Sequence, residues 1–129
     1  MNTDRDKLDG LCEIIIGRAF RVSSTLGCGF LEKVYENALA YELRKAGVAV
    51  EQQREVTVHY EGVVVGKYAP DLVIENAMLV ELKAARALDQ IHRAQCMNYL
   101  KAAGLWLCLL INFGNPSLEI RRVVNGPPR

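Results

Sequence analysis

The sequence has no surplus of charge, no long apolar run and no paired cysteines, and each absence removes a class of function. Sixteen Lys and Arg stand against fifteen Asp and Glu, a formal net charge of +1. That balance excludes a polybasic nucleic-acid coat protein and a strongly acidic tail protein. Any phosphate-binding function has to be local, built by a few placed residues. The longest apolar run, Leu105 to Ile111, is far shorter than the roughly 20 residues a bilayer span needs, so no membrane partner is expected. Met1 to Lys7 are polar and mixed in charge, unlike a secretory signal. Cys12, Cys28, Cys96 and Cys108 never form a Cys-x-x-Cys pair, so they are expected to be reduced thiols acting as small core residues. A cytoplasmic protein is the expectation.

Half of the 129 residues are apolar and 24% are charged, a globular composition. The length fits one domain, residues 1–129, with 126–129 expected to fray. Leu8, Leu11, Ile15, Ala19 and Val22 recur at helical spacing and predict a first helix over 8–26, stopped by Gly27-Cys28-Gly29. A second helix is predicted over 31–46, with a stripe of Leu31, Val34, Tyr35, Ala38, Leu39 and Tyr41. Glu32, Glu36 and Glu42 fall on or beside that stripe, where carboxylates need partners. From Val48 the period changes to two. Strands are predicted over 50–60, 63–75 and 78–84 as a three-strand meander, with a turn at Asn76-Ala77. Asp89 caps a third helix to about Ala103, Trp106 to Asn112 suits a strand buried on both faces, and Leu118 to Val124 is a last strand. The fold class is α/β (α+β), and neighbours in sequence should be neighbours in space.

One constellation carries chemistry. Nine residues separate Asp71, after Pro70, from Glu81 of Glu81-Leu82-Lys83. A turn centred on Asn76 pairs positions that sum to 152, which sets Asp71 opposite Glu81 with Lys83 on the same face. Opposed like charges are destabilising unless something positive lies between them. A divalent cation such as Mg²⁺ suits two carboxylates better than one lysine does, and it lowers the pKa of a bound water. Lys83 can then orient or deprotonate that water. Gln95 and Tyr99 share one face of the third helix. Arg86, His92, Arg93 and Lys101 form a modest basic rim suited to phosphates. His59 reads as a strand-surface residue, and no second histidine has helical spacing to His92.

Pro70-Asp71, Glu81-Leu82-Lys83 and the element order resemble the PD-(D/E)XK nuclease superfamily, with its α-β-β-β-α-β core, a central mixed sheet flanked by helices, and here an extra N-terminal helix. Gln95-x-x-x-Tyr99 resembles the Gln-x-x-x-Tyr motif of its RecB-like branch. Gly29-Phe30-Leu31-Glu32-Lys33-Val34-Tyr35 resembles the motif of the small GxxExxY proteins, one family within it. Ile15-Ile16-Gly17, Glu36, Ala40-Tyr41-Glu42-Leu43-Arg44 and Asn112-Phe113-Gly114 fit that family too. The chain departs from it at Ser23, where a histidine is common, and at Cys28, where Gly-Pro-Gly is common.

The resemblance implies a Mg²⁺-dependent phosphodiesterase, with Mn²⁺ able to substitute. It implies Asp71 and Glu81 as metal ligands, Lys83 positioning the attacking water, and Gln95 supporting the lysine, the water or the substrate phosphate. A glutamate of the helix before the meander completes such sites. Glu32 and Glu36 both match, with Glu32 preferred because the motif singles it out, and Glu42 is a third candidate equally suited to a buried salt bridge. The implied partner is nucleic acid, DNA first, bound weakly and salt-sensitively by a monomer. A homodimer would supply the surface for specificity that one small domain lacks. The alternative function is a catalytically silent nucleic-acid-binding or accessory module with the same fold.

Overall fold

The computed structural model describes residues 4–126. Helix α1 (Asp4–Leu26) buries Leu8, Cys12, Ile15, Ala19 and Val22, alternating steps of four and three that keep all five on one stripe. Helix α2 (Glu32–Lys45) buries Tyr35, Glu36, Leu39, Ala40, Glu42 and Leu43. Its buried face is turned from the expected stripe: Leu31, Val34 and Tyr41 are exposed. The helix touches both α1 and the sheet, so it buries a wide face, and that face takes in two glutamates.

The expected three-strand meander is present as Val50–Gln52, Leu72–Ile74 and Met78–Lys83, but its first two strands are interrupted. Residues 50–60 and 63–75 do not form two continuous strands. They form one long hairpin, each arm of which is cut in two. Near the sheet, β1 (Val50–Gln52) pairs with β4 (Leu72–Ile74). Farther out, β2 (Val56–Tyr60) pairs with β3 (Val63–Tyr68), in the same register until a bulge at Val58/His59. The cut falls where Gln53 takes a left-handed φ of 56° on one arm and where Pro70 stands on the other. Proline has no N–H to give a ladder, so pairing lapses there. The outer ribbon becomes a separate two-stranded sheet beside helix α3 (Gln90–Ala103), with Val63, Val64 and Val65 exposed.

Strands β5 (Met78–Lys83), β6 (Leu107–Asn112) and β7 (Glu119–Val124) complete the main sheet, in the order β1-β4-β5-β6-β7. β5 and β6 are parallel and joined through α3, and the other pairs are antiparallel. One sheet face packs Leu72, Val80, Leu82, Leu109 and Ile111 against α1 and α2. The other packs Val73, Leu79, Cys108 and Leu110 against Cys96 and Leu100 of α3. Hence β6 is buried at all six positions, as its apolar run predicts. Cys12, Cys96 and Cys108 are buried free thiols, but Cys28 is exposed, because the turn between α1 and α2 lies outside both cores. The expected fraying tail beyond Gly126 lies outside the described residues.

Candidate functional site

The β4–β5 turn sets the register of the site. Glu75 and Asn76 both take left-handed φ, 54° and 53°. Asparagine tolerates that conformation, and glutamate does so less readily. Glu75 is held by its own N–H, which donates to Ala49 O, and by its carboxylate, which accepts from Ala49 N–H. The observed pairs, Leu72 with Val80 and Ile74 with Met78, sum to 152, and the same sum sets Asp71 level with Glu81 one position past the ladder's end.

Side chains take over from the ladder at that position. Asp71 N–H donates to Glu81 Oε1 at 3.2 Å, and Leu82 N–H donates to Asp71 Oδ2 at 2.8 Å. Each carboxylate is thus stapled to the backbone beside the other. Such bonds are strong when the acceptor is ionised. Glu81 is only 5% exposed, and its burial, with Asp71 second, pushes its carboxyl up to about 9. Lys83, two residues on, shares its face and pulls the other way, as a smaller influence. Burial and the nearby Glu81 push the Tyr68 hydroxyl up to about 12, and Tyr99 is raised for the same two reasons. The two rings stack 4.2 Å apart and hold the outer ribbon over α3. Tyr68 was not legible as a site neighbour, because its position depends on the ribbon leaving the sheet.

Among the helix glutamates, the structure brings Glu36 to the pair. Gln53 Nε2 lies 2.8 Å from Glu36 Oε1 and 3.2 Å from Asp71 Oδ1. Glu36 Oε2 accepts from Gln52 Nε2 at 2.8 Å and Lys33 Nζ at 2.9 Å. Glu32, preferred from the motif, is exposed one turn earlier, in the first turn of α2, and has no side-chain bond to the pair among the described residues. The inward rotation of α2 places Glu36, not Glu32, beside the pair. Glu42 serves the salt-bridge role: Arg18 at 3.2 Å, Arg21 at 3.3 Å and Lys45 at 3.1 Å surround it on the α1–α2 side. Lys45, with the other two cations, holds its carboxyl below the usual range.

Gln95 is exposed on α3 and has no side-chain hydrogen bond among the described residues. Arg86, Arg93 and Lys101 are exposed as a basic rim should be. His92 has a structural task instead: its Nδ1 accepts from Asp89 N–H, while Asp89 Oδ1 accepts from Ile91 and His92 N–H, a capping box for α3.

The chain just after Lys83 is clamped by Asn112, fully buried at the end of β6. Asn112 Oδ1 accepts from Ala85 N–H at 2.9 Å, and its Nδ2 donates to Ala85 O at 3.0 Å. Phe113 N–H donates to Lys83 O at 2.8 Å. Gly114 completes the clamp, because a Cβ there would collide with the backbone of Ala85. Gly114→Ala is therefore expected to cost at least about 2 kcal/mol, read as a lower urea midpoint, by forcing the backbone behind Lys83 to move.

A hard divalent cation commonly takes one or two carboxylates plus waters. Asp71 Oδ1 and Glu81 Oε2 are free of backbone staples, so the pair fits such an ion. Among the described residues no three His, Cys, Asp or Glu form a complete protein cage. Asp71 and Glu81 form a pair, with Glu36 one amide away.

Comparison with known proteins identifies the family and the fold. The sequence model of the PD-(D/E)XK nuclease superfamily matches residues 9–123. No curated protein matches. Two similar solved structures are the crystal structure of SSO0001 and that of an alkaline exonuclease (LHK-Exo) from Laribacter hongkongensis. The first has a TM-score of 0.55 and 16% identity over 92% of this chain, which spans 59% of its length. The second has a TM-score of 0.55 and 13% identity over 98% of this chain and 73% of its own. At these identities the likeness is one of fold.

Proposed function

The chain belongs to the PD-(D/E)XK nuclease superfamily, and from that premise we propose that it is a Mg²⁺-dependent nuclease acting on DNA. The observation that carries the proposal is the interlocked pair Asp71 and Glu81, with Glu81 pushed up to about 9. A buried acid beside a second carboxylate ionises at neutral pH when a cation joins it. Asp71 and Glu81 would hold the ion, with Glu36 completing the acidic set. When bound, the ion supplies Lewis-acid stabilisation of the phosphoryl oxygen and a more acidic water.

The protein's own groups do the rest. Lys83 holds the attacking water and takes or guides its proton, on a strand whose exit is fixed by Asn112. The exposed basic rim of Arg86, Arg93 and Lys101 meets the phosphate backbone, and Gln95 steadies the reacting phosphate. A homodimer would widen this small surface, and a cytoplasmic setting suits the free thiols.

The test is a digestion panel of linear, circular, nicked and branched DNA, plus RNA, with Mg²⁺, Mn²⁺ or chelator. Metal-dependent cleavage of DNA by the wild type supports the reading. Binding that survives in chelator, with no cleavage in any metal, would replace it with a silent nucleic-acid-binding module.

A further inference from the structure

Gln53 stands where no sequence motif draws attention to it. It follows β1 directly, its backbone N–H donates to Asp71 O at 3.1 Å, and its φ of 56° is left-handed. Glutamine rarely adopts that conformation, so the fold accepts strain to aim this side chain. One amide nitrogen then serves two anions, Glu36 Oε1 at 2.8 Å and Asp71 Oδ1 at 3.2 Å. These carboxylates come from different elements, α2 and the approach to β4. The other oxygen of Glu36 is already held by Gln52 and Lys33, and that of Asp71 by Leu82 N–H. The oxygens bridged by Gln53 are therefore the ones left to face an ion.

A cation held by these carboxylates would compete with the amide nitrogen that now lies beside both. Gln53 is exposed, so turning its amide disturbs no core packing. A half-turn replaces the N–H donors with Oε1, an oxygen acceptor suited to a hard cation or its water.

We propose that Gln53 is an exchangeable stand-in for the cation, its NH₂ spacing Glu36 and Asp71 in the metal-free site and its Oε1 turning toward the ion when metal enters. This rests on the metal-dependent reading above and adds a residue to it. Three substitutions separate the two halves of the role, because each replaces the side chain at the same strained backbone position. Gln53→Glu keeps an oxygen ligand but loses the N–H donors. In chelator it melts below wild type, and with Mn²⁺ it recovers and binds more tightly. Gln53→Lys supplies a permanent cation, so it keeps its chelator melting temperature and loses affinity. Gln53→Ala loses both halves, melting lower in chelator and binding about 10- to 100-fold more weakly, the range for outer partners of a metal site.

The experiment is calorimetric titration of Mn²⁺ into the full chain, beside melting curves in chelator and in Mn²⁺. The expected result is the opposed order of affinity, Glu above wild type above Lys. If wild type binds Mn²⁺ and all three variants bind it equally well, the role of Gln53 is overturned and the metal site stands. If wild type itself binds no divalent cation, the underlying metal reading fails, and the role of Gln53 fails with it.

Discussion

In chelator, wild-type protein is expected to lose stability as pH rises from about 5 to 9, and Glu81→Gln is expected to remove most of that loss. The Glu81 carboxyl, ordinarily near 4.5, is pushed up to about 9 in the fold, chiefly by burial and then by Asp71. Between those values the folded chain holds a proton that the unfolded chain has released. The stabilisation is fully present below the unfolded value and is lost as pH rises through the folded one. At roughly 1.4 kcal/mol for each pH unit separating the two values, the whole effect is on the order of 6 kcal/mol. Glutamine cannot ionise, keeps an oxygen to accept Asp71 N–H, and relieves the charge opposition. Thermal melts of both proteins across pH, with and without Mg²⁺, check this. A wild-type melting temperature that stays flat from about pH 5 to 9 in chelator would sink it.

Asp71→Ala and Lys83→Ala are expected to depress cleavage strongly, for different reasons. Asp71→Ala removes a proposed cation ligand, the acceptor for Leu82 N–H and one partner of Gln53, so cation affinity and turnover are expected to fall together. Lys83 has no bond to either carboxylate among the described residues, so Lys83→Ala leaves cation affinity nearly unchanged. Its turnover falls by about 10²- to 10⁴-fold, the usual contribution of a positioned proton-transfer group. Single-turnover cleavage beside cation titration separates the two patterns. Equal loss of metal affinity in both variants would make Lys83 a structural residue.

Much of this site is legible in the residues themselves. The Asp71–Glu81 register follows from a turn centre and the two-residue period of strands, both local properties. Asp89 as a cap and the buried run of β6 follow from equally local rules. Helix α2 was legible as a helix but not in its rotation, since that depends on α1 and the sheet packing it at once. That rotation is why Glu36, and not Glu32, meets the pair. The break in the hairpin is marked by the polar run Glu51 to Glu55, which interrupts the alternation that resumes at Val56. Pro70 was the available sign that pairing lapses there, and two adjacent glutamines across from it were the sign of a polar junction. Gln53 itself depends on a left-handed backbone angle that nothing in its residue type announces.

The most direct test of a cation held by Asp71 and Glu81 is titration of Mg²⁺ into wild-type protein at about pH 7, in two buffers of different ionisation enthalpy. Saturable binding with release of close to one proton is expected, because Glu81 is protonated in the metal-free site and must ionise to hold the ion. No saturable binding, or binding with no proton released, would contradict it.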